Sequence, residues 1–134
     1  MAPEASETLP LRAATDIVIV RQTARRWAAE QGLSLVDQTK LVTAVSELAR
    51  NTVEYGGGGT AKLERISEPA RRGVRITFED HGPGIPDITL ALTDGYTSGR
   101  GMGLGLGGSR RLVNEFDIRS TVGEGTRVVI ARWK

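Results

Sequence analysis

The chain has 134 residues, of which 39% are hydrophobic and 25% are charged, with a formal net charge of +2 and no cysteine. This length and composition predict one globular domain over residues 1–134 and exclude a disordered chain, disulfides and thiolate metal sites. The low net charge and the 4% aromatic content argue against nucleic acid as a partner. No apolar run is long enough to span a membrane, and no signal-peptide pattern occurs, so a cytoplasmic location is expected.

The first part of the chain predicts a tail, a strand and a helix. Residues 1–7 are expected to be frayed, and residues 9–13 alternate like a short, proline-containing edge strand. The helix that follows is predicted to be capped by Thr15 or Asp16 and to end at Gly32.

A second helix is predicted from Val36 or Asp37 to Tyr55, where the four glycines of residues 56–59 end it. The elements predicted after it are strands at 60–67 and 74–80, a short helix at 88–93, a mobile segment at 94–103, a helix at 104–114, and strands at 116–121 and 126–133. Helices alternate with strands, but hairpins dominate the second half. We therefore expect an α+β fold, a two-layer α/β sandwich whose mixed, mostly antiparallel sheet carries helices on one face.

Asp80 ends a predicted strand and opens the glycine-rich loop Asp-His-Gly-Pro-Gly-Ile-Pro-Asp. It shares its parity with Val74, Ile76 and Phe78, so its side chain is expected to face the helices. A buried carboxylate needs a hydrogen-bond donor. That donor is either the exocyclic amine of adenine or the backbone of its own turn, a common use of Asp before Gly. Thr126 shares a face with the apolar residues of the last strand, so its hydroxyl is expected beside Asp80.

A second glycine-rich stretch, Gly-Met-Gly-Leu-Gly-Leu-Gly, covers residues 101–107 and is followed by Gly108. Glycine in a helix costs about 1 kcal/mol relative to alanine. Several glycines at a helix start therefore suggest backbone amides that approach a phosphate, and the alternative is a flexible hinge. Gly103, Gly105 and Gly108 also fit a dinucleotide-binding pattern, but the βαβ setting is missing, and so is a Walker lysine. Dinucleotide and P-loop sites are therefore rejected.

Glu47 and Asn51 lie one turn apart on the flank of the second helix's apolar stripe. Mg²⁺ prefers hard oxygen ligands and often takes only one or two from protein, so the Asn51 carbonyl is a candidate ligand. Glu47 is a candidate base that accepts a proton from an attacking hydroxyl or orients it. The alternative is a solvated flank on which Glu47 pairs with Arg50. Arg100 either reaches a terminal phosphate or is a solvated loop charge.

The order of these motifs resembles that of the GHKL ATPase superfamily, whose ATP pocket is the Bergerat fold. Glu47 and Asn51 match its N box, residues 80–84 match its first glycine box, residues 101–107 its second, and residues 123–126 its last.

This resemblance implies a role for each group of residues. Glu47 is the catalytic base, Asn51 binds Mg²⁺, Asp80 and Thr126 recognise adenine, and the glycines hold the phosphates under a lid. The full set of candidates for binding ATP and Mg²⁺ is Asn51, Asp80, Gly82, Gly84, Ile85, Arg100, Gly101, Met102, Gly103, Leu104, Gly105 and Thr126.

Within the superfamily, the stand-alone length and the segment Ser-Glu-Leu-Ala-Arg-Asn look most like bacterial serine-protein kinases of the partner-switching type, the stressosome switch kinases. The resemblance implies an ATP- and magnesium-dependent kinase that phosphorylates Ser or Thr on a STAS-domain antagonist. Once released, such a kinase activates a metal-dependent PPM-type phosphatase. One alternative is an anti-sigma factor of the same fold, which sequesters a sigma factor and phosphorylates an anti-anti-sigma protein. Another is a nucleotide-gated binding module with negligible catalysis.

Overall fold

A computed structural model describes residues 5–93 and 105–134 of the chain, which form a sheet with a layer of helices. The elements are β1 (Ala5–Leu11), α1 (Ala14–Glu30), α2 (Leu35–Glu54), β2 (Gly59–Glu68), β3 (Arg71–Asp80), α3 (Ile88–Ala91), α4 (Gly105–Arg111), β4 (Glu115–Thr121) and β5 (Gly125–Trp133). The five strands form one sheet in the order β1-β2-β3-β5-β4, and each described pairing is antiparallel. The predicted α+β fold is confirmed. In the described part of the chain, no helix has both the length and the apolar character needed to cross a bilayer.

The edge strand β1 begins earlier than predicted. Residues 5–7, expected to belong to a frayed tail, pair with residues 63–65 of β2. The strand ends at Leu11, and Ala13, which was predicted to lie in it, is instead the residue before α1. The edge position agrees with the prediction, since a sheet tolerates proline at its edge.

The start of α1 differs from the prediction because its N-cap residue has no polar side chain. Ala13 is the N-cap residue, and neither Thr15 nor Asp16 takes that place. The Asp16 carboxylate lies in the first turn and accepts hydrogen bonds from the backbone N–H of Arg12 at 2.8 Å and of Ala13 at 3.2 Å. The residue therefore satisfies orphan backbone donors from within the helix.

The second helix also begins slightly earlier than predicted. Ser34 caps α2, because its hydroxyl accepts a hydrogen bond from the Asp37 N–H at 3.1 Å. Leu35 and Val36 lie in the first turn but are exposed, so they stand outside the buried stripe that defined the predicted start. The end at Glu54, with Tyr55 as C-cap, agrees with the prediction.

The front face of the sheet, on the side of the helices, is apolar. Val74, Ile76 and Phe78 of β3 are buried, and Leu63 and Ile130 are the cross-strand neighbours of Ile76. The helix residues in the same core include Val20, Ala24, Trp27 and Ala28 of α1 and Leu41, Val45 and Leu48 of α2. Each large apolar side chain contributes about 1.5–3 kcal/mol when buried. This layer holds α2 over the end of β3.

One row of residues crosses the sheet where β3 ends. Gly59, Asp80, Thr126 and Ser120 are successive partners on β2, β3, β5 and β4. Residues opposite one another in such a row share a face of the sheet. The Asp80, Thr126 and Ser120 side chains therefore all project to the helix side.

The back face of the sheet is largely polar, as expected for a face that no described helix covers. Glu79 is exposed on this face. Thr77 lies on the same face but is only 7% exposed. Its cross-strand neighbours, Lys62 and Val129, flank it on both sides, so the sheet itself covers the short side chain.

A bidentate ion pair joins β2 and β3 on this back face. Arg75 Nε and Nη2 donate to the two carboxylate oxygens of Glu64 at 2.9 and 3.2 Å, and Glu64 is 6% exposed. The hydrogen bond from Arg75 lowers the pKa of Glu64 below its ordinary value of 4.5. Because the pKa is lower in the folded state, the pair stabilises the protein above about pH 4.5, and this stabilisation is lost as the pH falls through the folded-state value.

We expect Glu64→Gln to lower the free energy of unfolding by about 1 kcal/mol near neutral pH, because Arg75 is partly exposed and solvent screens the pair. The loss of stability on acidification should be shallower in this variant than in the parent protein. Urea denaturation at a series of pH values measures both effects. Glu68→Gln removes the exposed ion pair with Arg71 and serves as the matched control. Parallel acid profiles for the parent protein and Glu64→Gln would contradict the assignment.

Candidate functional site

A cavity of about 420 Å³ lies between α2 and the end of the sheet. Its walls include the loop after β3, the short helix α3 and the start of α4. The predicted site residues that line it are Glu47, Asn51, Asp80, Gly84, Ile85, Gly105 and Thr126. Residues from four separate stretches of the chain, within 47–56, 78–91, 105–106 and 126–128, thus meet in one concave site.

Some predicted site residues do not line this cavity. Gly82 instead contacts Asp80, because its backbone N–H donates to the carboxylate at 2.9 Å. The remaining candidates, Arg100, Gly101, Met102, Gly103 and Leu104, lie outside the described residues, as does the mobile segment predicted at 94–103.

The Asp80 carboxylate is anchored through one oxygen. Oδ1 accepts hydrogen bonds from the backbone N–H of Gly82 at 2.9 Å and of Thr126 at 3.3 Å. Within the described residues, Oδ2 has no hydrogen bond. The turn interaction considered from the sequence is therefore present, and it leaves the second oxygen as an acceptor at the cavity wall.

Gly56 makes room beside this second oxygen, a contact that the sequence analysis missed. A Cβ added at Gly56 would lie 2.5 Å from Asp80 Oδ2 and closer still to Cγ. The four-glycine run was interpreted only as the end of α2. Gly56, the first of these four glycines, also leaves the space that the Asp80 carboxylate occupies.

Ser120 is the second residue that the sequence analysis missed. Its hydroxyl accepts a hydrogen bond from the Ile85 N–H at 2.8 Å and lies 2.7 Å from the Thr126 hydroxyl. The same hydroxyl lies 3.1 Å from the Gly125 carbonyl, a second possible acceptor for its one hydrogen. Counting outward from Gly123 in the hairpin pairs Ser120 with Thr126, which is the only sequence signal for this contact.

The loop after β3 is held against the β4–β5 hairpin. Gly84 has φ of +79°, and a side chain there would collide with the Thr121 carbonyl. The backbone N–H of Gly123 donates to the Pro83 carbonyl at 2.8 Å. A left-handed conformation and close backbone contact together require glycine at position 84. The hairpin therefore determines where the loop meets the cavity.

Glu47 is buried, although the sequence placed it on a partly solvated flank. It is 8% exposed, and its Oε2 accepts a hydrogen bond from Arg50 Nη2 at 2.7 Å. This hydrogen bond raises the pKa of Arg50 further above its ordinary value, so the guanidinium stays charged. The pairing with Arg50 considered from the sequence thus exists at the cavity wall, where the carboxylate is held in one orientation.

Asn51 offers an uncommitted amide to the cavity. The residue is half-buried, and its side chain has no hydrogen bond to the described residues. Residues 5–93 and 105–134 contain no group of three His, Cys, Asp or Glu side chains that could bind a metal together. A single amide oxygen nevertheless fits Mg²⁺, which takes most of its ligands from phosphate and water in nucleotide sites.

The cavity wall therefore combines polar residues from the sheet and from α2 with apolar residues. Asp80 and Thr126 stand at the sheet end, and Glu47 and Asn51 stand on α2. The apolar residues of the wall include Leu48, Phe78, Ile85, Leu106 and Val128. Such an arrangement suits a ligand that has a flat heteroaromatic ring with a hydrogen-bond donor on its edge, and a charged group at its other end.

Comparison with known proteins gives consistent matches. Residues 36–134 match the family described as histidine kinase-, DNA gyrase B-, and HSP90-like ATPase. The serine/threonine-protein kinase RsbT of Bacillus subtilis (strain 168) is 44% identical over 118 residues, which cover 88% of this chain and 89% of that protein. The anti-sigma F factor of Clostridium novyi (strain NT) is 32% identical over 101 residues, 70% of this chain and 69% of that protein.

Two solved structures share the fold. One contains the RsbU and RsbW domains of a Mycobacterium tuberculosis protein, with a TM-score of 0.65 and 23% identity; the match covers 99% of this chain and 34% of that one. This chain thus spans about a third of that structure's length. The other is the mycobacterial sensor histidine kinase MprB, with a TM-score of 0.55, 18% identity, and coverage of 96% and 97%. The superfamily and the resemblance to an RsbT-type serine/threonine kinase, both predicted from the motifs, are confirmed.

We expect Gly56→Ala to weaken nucleotide binding by at least about tenfold, because the added methyl group displaces the carboxylate that would accept a hydrogen bond from the ligand. Isothermal titration calorimetry with ATP and with ADP measures the effect.

The matched control for this substitution is Gly57→Asn. Gly57 has φ of +74°, which asparagine tolerates, and a side chain there meets nothing within 4 Å. Equal affinities for Gly56→Ala and the parent protein would show that Asp80 Oδ2 does not contact the nucleotide.

Proposed function

This chain belongs to the histidine kinase-, DNA gyrase B-, and HSP90-like ATPase family, and from that premise we propose that it is an ATP- and magnesium-dependent serine/threonine protein kinase of a partner-switching stress module. Its substrate is a Ser or Thr on a STAS-domain antagonist. Phosphorylation releases the kinase, which then binds and activates a PPM-type phosphatase. The proposed location is the cytoplasm.

The observation that carries this proposal is the meeting of Glu47, Asn51 and Asp80 in one cavity. A binding module needs the residues that hold the nucleotide, but it has no need of a carboxylate buried beside the metal-binding amide. Keeping a charged group at 8% exposure is costly unless it is paired, and Arg50 supplies the partner. The 44% identity to a serine/threonine-protein kinase over most of both chains supports the same choice.

At the sheet end of the cavity, Asp80 Oδ2 accepts a hydrogen bond from the exocyclic amine of adenine. The Thr126 hydroxyl lies beside it in the same row of the sheet. Phe78 and Ile85 contribute apolar surface against which the flat base packs. The phosphates then extend toward α2; Gly84, beside the hairpin, and Gly105, at the start of α4, line the same cavity.

At the α2 end, the Asn51 amide oxygen would hold Mg²⁺. The metal ion, when bound, offsets the negative charge that develops on the phosphate oxygens. The oxygen of the substrate hydroxyl bonds to the γ-phosphorus, and Glu47 takes up the proton of that hydroxyl. The bond from that phosphorus to the bridging oxygen breaks, and ADP leaves. Arg50 holds the Glu47 carboxylate in place for this transfer.

The second candidate is an anti-sigma factor with serine kinase activity on an anti-anti-sigma protein. The specific support for it is the 32% identity to the anti-sigma F factor of Clostridium novyi. A third candidate is a nucleotide-gated binding module with negligible catalysis. The observation compatible with this third candidate is the ion pair that holds the Glu47 carboxylate against Arg50. All three share the same nucleotide site.

We expect Glu47→Gln to lower kcat by about 10²–10⁴-fold while the KM for ATP changes little. Glutamine keeps the size of the side chain and an acceptor for Arg50, but it cannot take up the hydroxyl proton. Phosphoryl transfer from labelled ATP to a STAS-domain protein measures the effect. Glu54→Gln, an exposed change in the last turn of the same helix, is the matched control. Transfer retained in Glu47→Gln would rule out the catalytic-base assignment.

Asn51→Ala should separate metal binding from base recognition. The variant loses the amide oxygen but keeps Asp80 and Thr126, so its affinity for ATP should fall in the presence of Mg²⁺ and change little when EDTA is present. Calorimetric titration under the two conditions measures the difference. An equal loss with and without the metal would contradict the role of Asn51.

Capture of partners from a lysate distinguishes the kinase of a phosphatase switch from the anti-sigma alternative. We expect the tagged protein to retain a STAS-domain protein with ADP, and a PPM-type phosphatase after that STAS protein has been phosphorylated. Recovery of a sigma subunit in their place would support the second candidate. Binding of either partner without any phosphoryl transfer would support the third.

A further inference from the structure

The Ser120 hydroxyl joins the glycine loop to the base-recognition end of the cavity. It lies on β4, outside all of the motifs that carry the resemblance. Its three contacts are the Ile85 N–H at 2.8 Å, the Thr126 hydroxyl at 2.7 Å and the Gly125 carbonyl at 3.1 Å.

The number of hydrogens limits how these contacts are made. A serine hydroxyl has one hydrogen and two lone pairs. The Ile85 N–H takes one lone pair. If Ser120 donates to Gly125, then Thr126 donates to Ser120 and offers only lone pairs to the cavity. If Ser120 donates to Thr126, at the shorter distance, then the Thr126 hydrogen is available to a ligand.

We propose that Ser120 is a positioning residue for recognition of a 6-aminopurine, because it orients the Thr126 hydroxyl to donate to the ring nitrogen next to the amino group. This inference rests on the proposed function, since it assumes that the cavity binds ATP. The two groups at the sheet end then form a complementary pair. Asp80 Oδ2 accepts from the amine, and Thr126 donates to the adjacent ring nitrogen.

The same pair selects against guanine. Guanine carries an oxygen in place of the amine, and that oxygen would face the Asp80 carboxylate. Two acceptors at hydrogen-bond distance repel each other, and neither is then satisfied. Asp80 thus excludes the wrong base, and the hydroxyl pair of Ser120 and Thr126 contributes to the affinity for the right one.

Ser120 also couples the base to the loop. The Ile85 amide that it holds belongs to the same residue whose side chain lines the cavity. Thr126 in turn is tied to Asp80 through its own N–H at 3.3 Å. The Ser120 hydroxyl therefore contacts both Ile85 and Thr126, two residues that line the base site.

The test compares ATP with 1-deaza-ATP and 7-deaza-ATP, each of which lacks one of the two ring nitrogens that lie beside the amino group. Calorimetry measures the affinity of the parent protein, Ser120→Ala and Ser120→Thr for each nucleotide. We expect Ser120→Ala to weaken ATP binding by about fivefold to tenfold. It should not weaken the binding of the analogue that lacks the recognised nitrogen. Ser120→Thr keeps the hydroxyl and should restore much of the affinity for ATP.

A double-mutant comparison gives a second, independent readout. In a Thr126→Val background the hydroxyl that Ser120 orients is absent, so Ser120→Ala should have no further effect on the ratio of ATP to analogue affinity. Ser67→Ala, on β2 far from the cavity, is the matched control for a serine substitution in a strand.

The possible outcomes are distinct. An equal loss of affinity for all three nucleotides in Ser120→Ala would overturn the proposal, because it would indicate a merely structural role. An unchanged affinity for ATP would also overturn it. If the parent protein itself bound no ATP, the proposed function would fail first. If the parent protein bound ATP but Ser120→Ala left the ratio of ATP to analogue affinity unchanged, only this inference would fail.

Discussion

The Asp80 carboxylate receives backbone donors at one oxygen, and the other lies beside a glycine. Gly82 and Thr126 hold Oδ1, while the missing side chain of Gly56 leaves room next to Oδ2. Three separate parts of the fold, the loop after β3, the hairpin and the end of α2, meet at this one group. A carboxylate tied down in this way loses little freedom when a ligand donates to it, which favours binding of a group with a matching donor.

The other half of the site depends on α2 serving two purposes at once. Leu48 and Thr52 are buried in the body of the protein, and Glu47 and Asn51 occupy the adjoining strip of the same helix. Helical geometry makes this possible, since residues four apart lie one above the other. The packing of α2 on the sheet therefore sets the separation between Asp80 and Asn51, the residues proposed to bind the base and the metal ion. Because that packing is apolar and close, the site is built on a rigid element rather than on loops alone.

The three candidate functions require the same nucleotide contacts at the sheet end of the cavity. They differ in whether Glu47 must take part in catalysis. The pairing of this buried carboxylate with Arg50 removes the cost of burying a lone charge and also restrains the side chain. Such a pair is compatible with proton transfer from a nearby hydroxyl and also with a nucleotide switch that turns over slowly. The chain is similar both to a serine/threonine-protein kinase and to an anti-sigma factor.

The amino-acid sequence by itself determined the helix and strand pattern, the family, and the candidates Glu47, Asn51, Asp80 and Thr126, because these depend on local periodicity and on motif order. The structure brings those four to one cavity, while their chemical roles stay predictions. Only the tertiary structure decided the contacts of Ser120 with Thr126 and of Gly56 with the Asp80 carboxylate. Each depends on strand register and on the approach of segments distant in the chain. A local pattern carries no information about such contacts, so Ser120 and Gly56 gave no signal beyond a hairpin count and a helix end.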